Sequence, residues 1–191
     1  LFNKEYPEFW KKYTDSFKNP ATKYVVISME TSGLDTDKDV IMSIAATSVI
    51  DNRIILKDSF EIFIQHKKHT EIDIDNEFIS VSKVEKVFEN VAIETLLNYL
   101  NNSILIGHRI DFDIEMLNEA LSRLKLGKIR NEAFDIEAMY NKIKETNEKK
   151  YSLEEMSKSL KINLSERNSV ADDTYSIALL FLKMKDKLGI K

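Results

Sequence analysis

Tyr24-Val25-Val26-Ile27-Ser28-Met29-Glu30-Thr31-Ser32-Gly33-Leu34 is the stretch that decides the fold. Its first six residues are nearly continuously apolar and then give way to Thr-Ser-Gly turn chemistry, which predicts a buried strand ending in a loop. Side chains alternate along a strand, so Ser28 and Glu30 share one face at the edge of that element. Downstream, two more apolar runs, Val40 to Ile50 and Ile54 to Ile64, are separated by Asp51-Asn52-Arg53, which is hairpin-like turn chemistry. Three antiparallel strands therefore open the domain. Helical spacing follows from Val91 to Leu100, then a short apolar strand from Ile104 to Ile106, a helix carrying Asp113, a strand near Ile129 to Phe134, and helices to the end. The predicted class is α/β, a mixed sheet with an antiparallel three-stranded start and helices on both faces. Ahead of it, residues 1–20, with Tyr6-Pro7-Glu8-Phe9-Trp10 and Phe17, read as an amphipathic helix before a break at Pro20, its aromatics packed on a single domain spanning 21–191.

Two further segments resemble the first in setting an acid at the edge of an apolar element: Gly107-His108-Arg109-Ile110-Asp111-Phe112-Asp113 and Asn168-Ser169-Val170-Ala171-Asp172-Asp173. Asp113, Leu117, Ala120 and Leu124 fall on one helical stripe, as do Asp173, Ile177, Leu180 and Met184 on a helix that starts near Ser169. Both acids head inward faces, whereas Asp172 sits about 100° round the helix from Asp173. A buried carboxylate is costly unless it is protonated, paired with a cation or bound to a metal. If Glu30, Asp113 and Asp173 converge, they share one hard cation or two, since oxygen-only ligation suits magnesium or manganese. Singly, each has an ordinary structural use: Glu30 at a solvent-facing strand end, Asp113 in the first turn of a helix, Asp173 beside a lysine.

Composition bounds the remaining options. The 191 residues, 43% of them hydrophobic, suffice for one domain with a sizeable core. The absence of cysteine rules out a disulfide scaffold and a thiolate metal site. With no long apolar span and no signal-peptide layout at Leu1-Phe2-Asn3-Lys4-Glu5, a cytoplasmic protein without membrane contact is expected. A net charge of −4 argues against a broad phosphate-tracking surface, yet not against a site where metal ions bring the positive charge. Local basic stretches are His66-Lys67-Lys68-His69, Lys142 to Lys150 and Lys183 to Lys191, of which the last two interleave with acids or sit on helix backs and read as solvated faces.

The three motifs together resemble the DEDDh-type 3′-to-5′ exonucleases, from about Lys23 to about Leu188. That family opens with Asp-x-Glu-Thr-Thr-Gly-Leu, continues with Gly-His-Asn-x-x-Phe-Asp and closes with His-x-Ala-x-x-Asp, matched here by Ser28 to Leu34, Gly107 to Asp113 and Asn168 to Asp173. Tyr151-Ser152-Leu153-Glu154-Glu155-Met156 resembles the short helix ahead of the last motif. The resemblance implies a ribonuclease-H-like fold and divalent-metal chemistry on a DNA or RNA 3′ end. By the same resemblance Glu30, Asp113 and Asp173 are the catalytic metal ligands, while Thr31, Leu34, His108 and Phe112 contact the terminal nucleotide.

The departures are equally specific. Ser28 stands where the family's first Asp bridges both ions, and Asn168 stands where a His deprotonates the attacking water. A hydroxyl is a weak ligand beside a carboxylate, and an amide has no proton-accepting nitrogen. A positioned base contributes about 10²- to 10⁴-fold, so the resemblance implies reduced affinity for magnesium or manganese and weak or lost hydrolysis. Asp172, Asp111 and Glu166 are the acids nearest in sequence that would substitute. The family's His-Gly pair after the third strand has no counterpart between Ile72 and Ile79. Two readings follow: a metal-dependent exonuclease with an impaired site, or a catalytically inactive nucleic-acid-binding or protein-interaction scaffold on the same fold, its protein partner unknown.

Overall fold

A computed structural model describes residues 5–66, 85–164, 166 and 168–190. Six strands, β1 (Tyr24–Thr31), β2 (Ile41–Ile50), β3 (Arg53–Gln65), β4 (Lys86–Phe88), β5 (Ile104–Gly107) and β6 (Ala133–Asp135), form one sheet in the order β4-β3-β2-β1-β5-β6. The β1–β2 and β2–β3 pairs are antiparallel, and the other three are parallel. Among the described residues six helices complete the fold: α1 (Glu8–Ser16), α2 (Glu89–Leu100), α3 (Ile110–Arg123), α4 (Ile136–Lys144), α5 (Leu153–Leu160) and α6 (Val170–Leu188).

The strand alternation of β1 divides the core in two. Val25 and Ile27 belong to a cluster with Trp10 and Tyr13 of α1, Leu96 and Leu97 of α2, and Met116 and Leu117 of α3. Val26 faces the opposite side, in a cluster with Ile136 of α4, Met156 of α5, and Ile177 and Phe181 of α6. Helices thus cover both faces of a mixed sheet, and β1 is buried at its centre because each face of its apolar run has a partner layer. At the β2–β3 turn, Asp51 and Asn52 take φ values of 49° and 58° between the paired residues Ile50 and Arg53, the left-handed geometry of a two-residue hairpin loop. The buried Lys185 near the end of α6 donates to the Asn52 side-chain oxygen at 2.7 Å and ties that helix to the hairpin.

The last strand is shorter and later than the sequence predicts. Pairing of β6 to β5 starts at Leu105↔Ala133, while Ile129 N–H donates to the Asn118 side chain and Arg130 N–H to the Tyr13 hydroxyl. Ile129 and Arg130 N–H, satisfied by side chains, need no ladder, so the strand does not begin there; contact with β5 starts only at the Glu132 carbonyl, which accepts from Leu105 N–H at 2.8 Å. Tyr13 also donates to Asn131, and burial pushes its phenol up to about 12. In this way α1 fixes the loop that leads into β6.

Candidate active site

The carboxyl end of β1 and the first turns of α3 and α6 enclose a cleft of about 290 Å³. It is lined by Ser28 and Met29 from β1, Leu34 from the following loop, His108, Arg109, Phe112, Asp113, Leu153, Asp173 and Ile177. Five positions singled out from the motifs therefore meet here with Ser28: Leu34, His108, Phe112, Asp113 and Asp173. Leu34 is 86% exposed at its rim. Thr31 shapes the same loop, its hydroxyl donating to the Gly33 carbonyl at 2.7 Å. A Cβ at Gly33 would collide with the Asp39 carboxylate, which accepts from Ser32 Oγ and Asp35 N–H, so the turn is built around a missing side chain.

Asp113 reaches the cleft through an unusual helix start. Arg109, the residue before α3, lies in the left-handed region (φ 56°, ψ 44°) and offers the helix no side-chain cap. The Ile110 N–H is satisfied instead by Asp135, which accepts from it at 3.0 Å through Oδ2. Through Oδ1 the same carboxylate accepts from Glu137 and Ala138 N–H and caps α4. One acid thus serves two helix N-termini. Asp113 itself is buried, and burial, together with the nearby Asp135 charge, pushes its carboxyl up to about 8.

His108 and Arg109 are held by a second acid, Glu137. The His108 Nε2–H donates to the Tyr151 carbonyl at 2.9 Å, because a carbonyl can only accept. Glu137 Oε1 accepts from Tyr151 N–H at 2.6 Å and from Arg109 Nη2 at 3.1 Å, with Lys150 Nζ 3.7 Å from its other oxygen. Burial opposes ionisation of Glu137, yet the Arg109 and Tyr151 hydrogen bonds and the nearby charges outweigh it and hold the carboxyl below the ordinary Glu value. The consequence is a clamp joining the second motif to the segment that enters α5. Neither Asp135 nor Glu137 was singled out from the sequence. An Asp before an apolar-periodic helix is a readable cap signal for Asp135, whereas Glu137 carries no local signal at all.

The third motif begins α6 locally. Ser169 is the N-cap and accepts from Asp172 N–H, while Asp172 Oδ2 accepts from Ser169 Oγ and Asn168 N–H. Asp172 is therefore occupied in capping and does not line the cleft; Asn168 and Asp111 are exposed, as is Glu166. Glu30 also lies outside the lining. The β1–β2 register shifts between Glu30 and Thr31, and the Glu30 charge acts on Glu61 of β3. Burial, with Asp172 and Glu30 as like charges, raises the Glu61 carboxyl even though it accepts from Val170 and Ala171 N–H at the start of α6. The stretch Ile72 to Ile79 and the lysines of the His66 to His69 patch lie outside the described residues, and His66 bonds the Ile41 carbonyl at 2.8 Å.

Among the described residues, no three His, Asp or Glu side chains are grouped so as to hold a metal ion. The cleft lining itself offers two carboxylates, a hydroxyl, a guanidinium and the His108 imidazole, whose Nε2 is already bonded to the Tyr151 carbonyl. Two dications need more negative charge than that, so this donor set does not fit a two-ion centre.

The geometry defines a class first: an α/β domain with acids at the carboxyl end of a central strand and at two helix starts beside it. Comparison with known proteins narrows this. The exonuclease family model RNase_T matches residues 25–181. The chain is 30% identical over 179 residues to the PolC-type DNA polymerase III of Staphylococcus haemolyticus, and 26% identical over 172 residues to that of Staphylococcus aureus. Those matches cover 93% and 86% of this chain but only 12% and 11% of the two polymerases, so it spans a small part of their length. In structure it superposes on the zinc-bound form of Escherichia coli exonuclease I with single-stranded DNA at a TM-score of 0.72, with 14% identity, over 90% of this chain and 42% of that one. Exonuclease X in complex with 5′-overhanging duplex DNA gives a TM-score of 0.61 and 18% identity, over 88% and 94%. The chain belongs to the DEDDh-type 3′-to-5′ exonuclease family, on the ribonuclease-H-like fold.

Proposed function

We propose that this chain is a nucleic-acid 3′-end-recognition domain of the exonuclease family in which hydrolysis is weak or lost. The observation that carries the reading is Ser28, which lines the cleft beside Asp113 and Asp173 at the family's first carboxylate position. Without that charge any hard cation, magnesium or manganese, is held at reduced affinity, and without a base at Asn168 an attacking water keeps its proton. Asp172 is no substitute, since it lies off the cleft lining and its Oδ2 caps α6. Asp113 and Asp173 on the cleft lining, with Glu30 two residues beyond Ser28 and outside that lining, are the acids a remaining cation would draw on, and Thr31, Leu34, His108 and Phe112 are the contacts for a terminal DNA or RNA nucleotide. A single cytoplasmic domain at 21–191, with the N-terminal helix packed on it, completes the proposal.

The test is nucleotide release from single-stranded DNA and RNA with magnesium or manganese, measured on the native chain, Ser28→Asp, Asn168→His and the double variant. The native chain should be slower than the double variant by about 10²-fold or more. Ser28→Asp alone should raise manganese affinity in calorimetry, because charge neutralisation does not need the base. Robust metal-dependent release by the native chain, lost in Glu30→Ala, would overturn the reading. A double variant that binds metal and stays inert favours the scaffold alternative.

A further inference from the structure

The family's second motif has Asn where this chain has Arg109, and that departure changes the charge of the cleft. Arg109 lines it together with Ser28, Asp113 and Asp173. Its side chain is 52% exposed, and among the described residues its hydrogen bond is that of Nη2 to Glu137 at 3.1 Å, one nitrogen of a group with five N–H donors. The anchor is a buried carboxylate that remains ionised because Tyr151 N–H and Arg109 both donate to it. An arginine held at one nitrogen by a fixed anion keeps a planar fork whose other donors match two phosphate oxygens, and little freedom remains to be lost on binding. The two departures complement each other: a carboxylate is absent at Ser28 and a cation is present at Arg109.

Resting on the 3′-end-recognition reading above, we propose that Arg109 binds the terminal phosphodiester of a nucleic-acid strand directly, so that the cleft holds a 3′ end without divalent ions. The guanidinium then supplies at the phosphate the positive charge for which the lining has too few carboxylates to recruit two dications. Leu34 and Phe112 lie on the same lining, within one cleft of the fork, and offer apolar surface to the last base.

The experiment is fluorescence anisotropy with 5′-labelled single-stranded oligonucleotides of DNA and of RNA, in EDTA and in magnesium, across a salt series. The native chain should bind in EDTA with an affinity that magnesium changes less than about threefold, and Arg109→Asn should weaken binding about tenfold or more. Arg109→Lys should fall between them, since a point charge lacks the fork. The slope of log affinity against log salt should drop by about 0.7 in Arg109→Asn, a readout that a purely structural role for the Glu137 pair would not move. Circular dichroism checks folding, and Asn tolerates the left-handed backbone at 109. Binding in EDTA that Arg109→Asn leaves unchanged overturns the role of Arg109 while the nucleic-acid reading stands. Binding only in magnesium overturns ion independence. Failure of the native chain to bind either strand under any condition overturns the end-recognition reading itself, and this proposal with it.

Discussion

Helices α3 and α6 each deliver an acid to the cleft from the fourth residue after the cap, yet they begin by different means. Helix α6 starts on its own sequence: Ser169 and Asp172 exchange hydrogen bonds across one turn, and Asp173 follows. Helix α3 has no such cap, and its start is imposed by Asp135 and Glu137 from 25 or more residues away, acting on a left-handed Arg109. The difference teaches that Asp173 is placed by local chemistry and Asp113 by tertiary contacts. Damage to the second clamp should therefore spread further than damage to the first cap.

The largest effect is expected from Asp135→Ala, which strips the acceptor from Ile110, Glu137 and Ala138 N–H at once. A loss of about 3–4 kcal/mol in urea unfolding follows from two orphaned helix starts. A loss below about 1 kcal/mol would break the contrast between the two helices. Next comes Asp113→Asn, whose effect depends on pH. The folded carboxyl sits near 8, above its ordinary value of 3.8, so the folded chain binds the extra proton between those limits. Its contribution to stability is full below about pH 4 and is lost as pH rises toward 8. Relative to the native chain, the Asn variant should gain on the order of 4 kcal/mol from pH 5 to pH 9 in thermal or urea unfolding, and a pH-independent difference would show the site to be wetter than its burial implies.

Ser169→Ala should cost about 1 kcal/mol, the usual worth of a local cap, with the rest of the sheet undisturbed in amide hydrogen exchange. Loss of protection in β5 or α3 from that change would erase the distinction. Smallest of all, Arg109→Asn should cost no more than about 1 kcal/mol: the buried Glu137 loses one donor yet keeps Tyr151 N–H and the nearby Lys150, and a left-handed backbone becomes easier to hold. Its stability effect is then separable from its effect on strand binding.

Much of this contrast is legible residue by residue before any coordinates. The Tyr24 to Met29 run, the Asp51-Asn52 turn, the Ser169 start and the inward stripes of Asp113 and Asp173 are local patterns, set by alternation, helical period and capping, and the fold has each of them. The strand near Ile129 is the instructive miss, since Tyr13 and Asn118 draw those backbone groups out of the ladder from distant elements. The site divides the same way. That Ser28 carries no charge and Asn168 no proton-accepting nitrogen, on which the proposed loss of hydrolysis rests, is read from identity alone, as side-chain chemistry does not depend on the fold. That Asp172 is spent on a cap, that Glu30 acts on Glu61 rather than lining the cleft, and that Arg109 reaches it while anchored to Glu137 could be decided only by tertiary structure. Each depends on which partner lies nearest in space, and sequence separation carries no record of that distance.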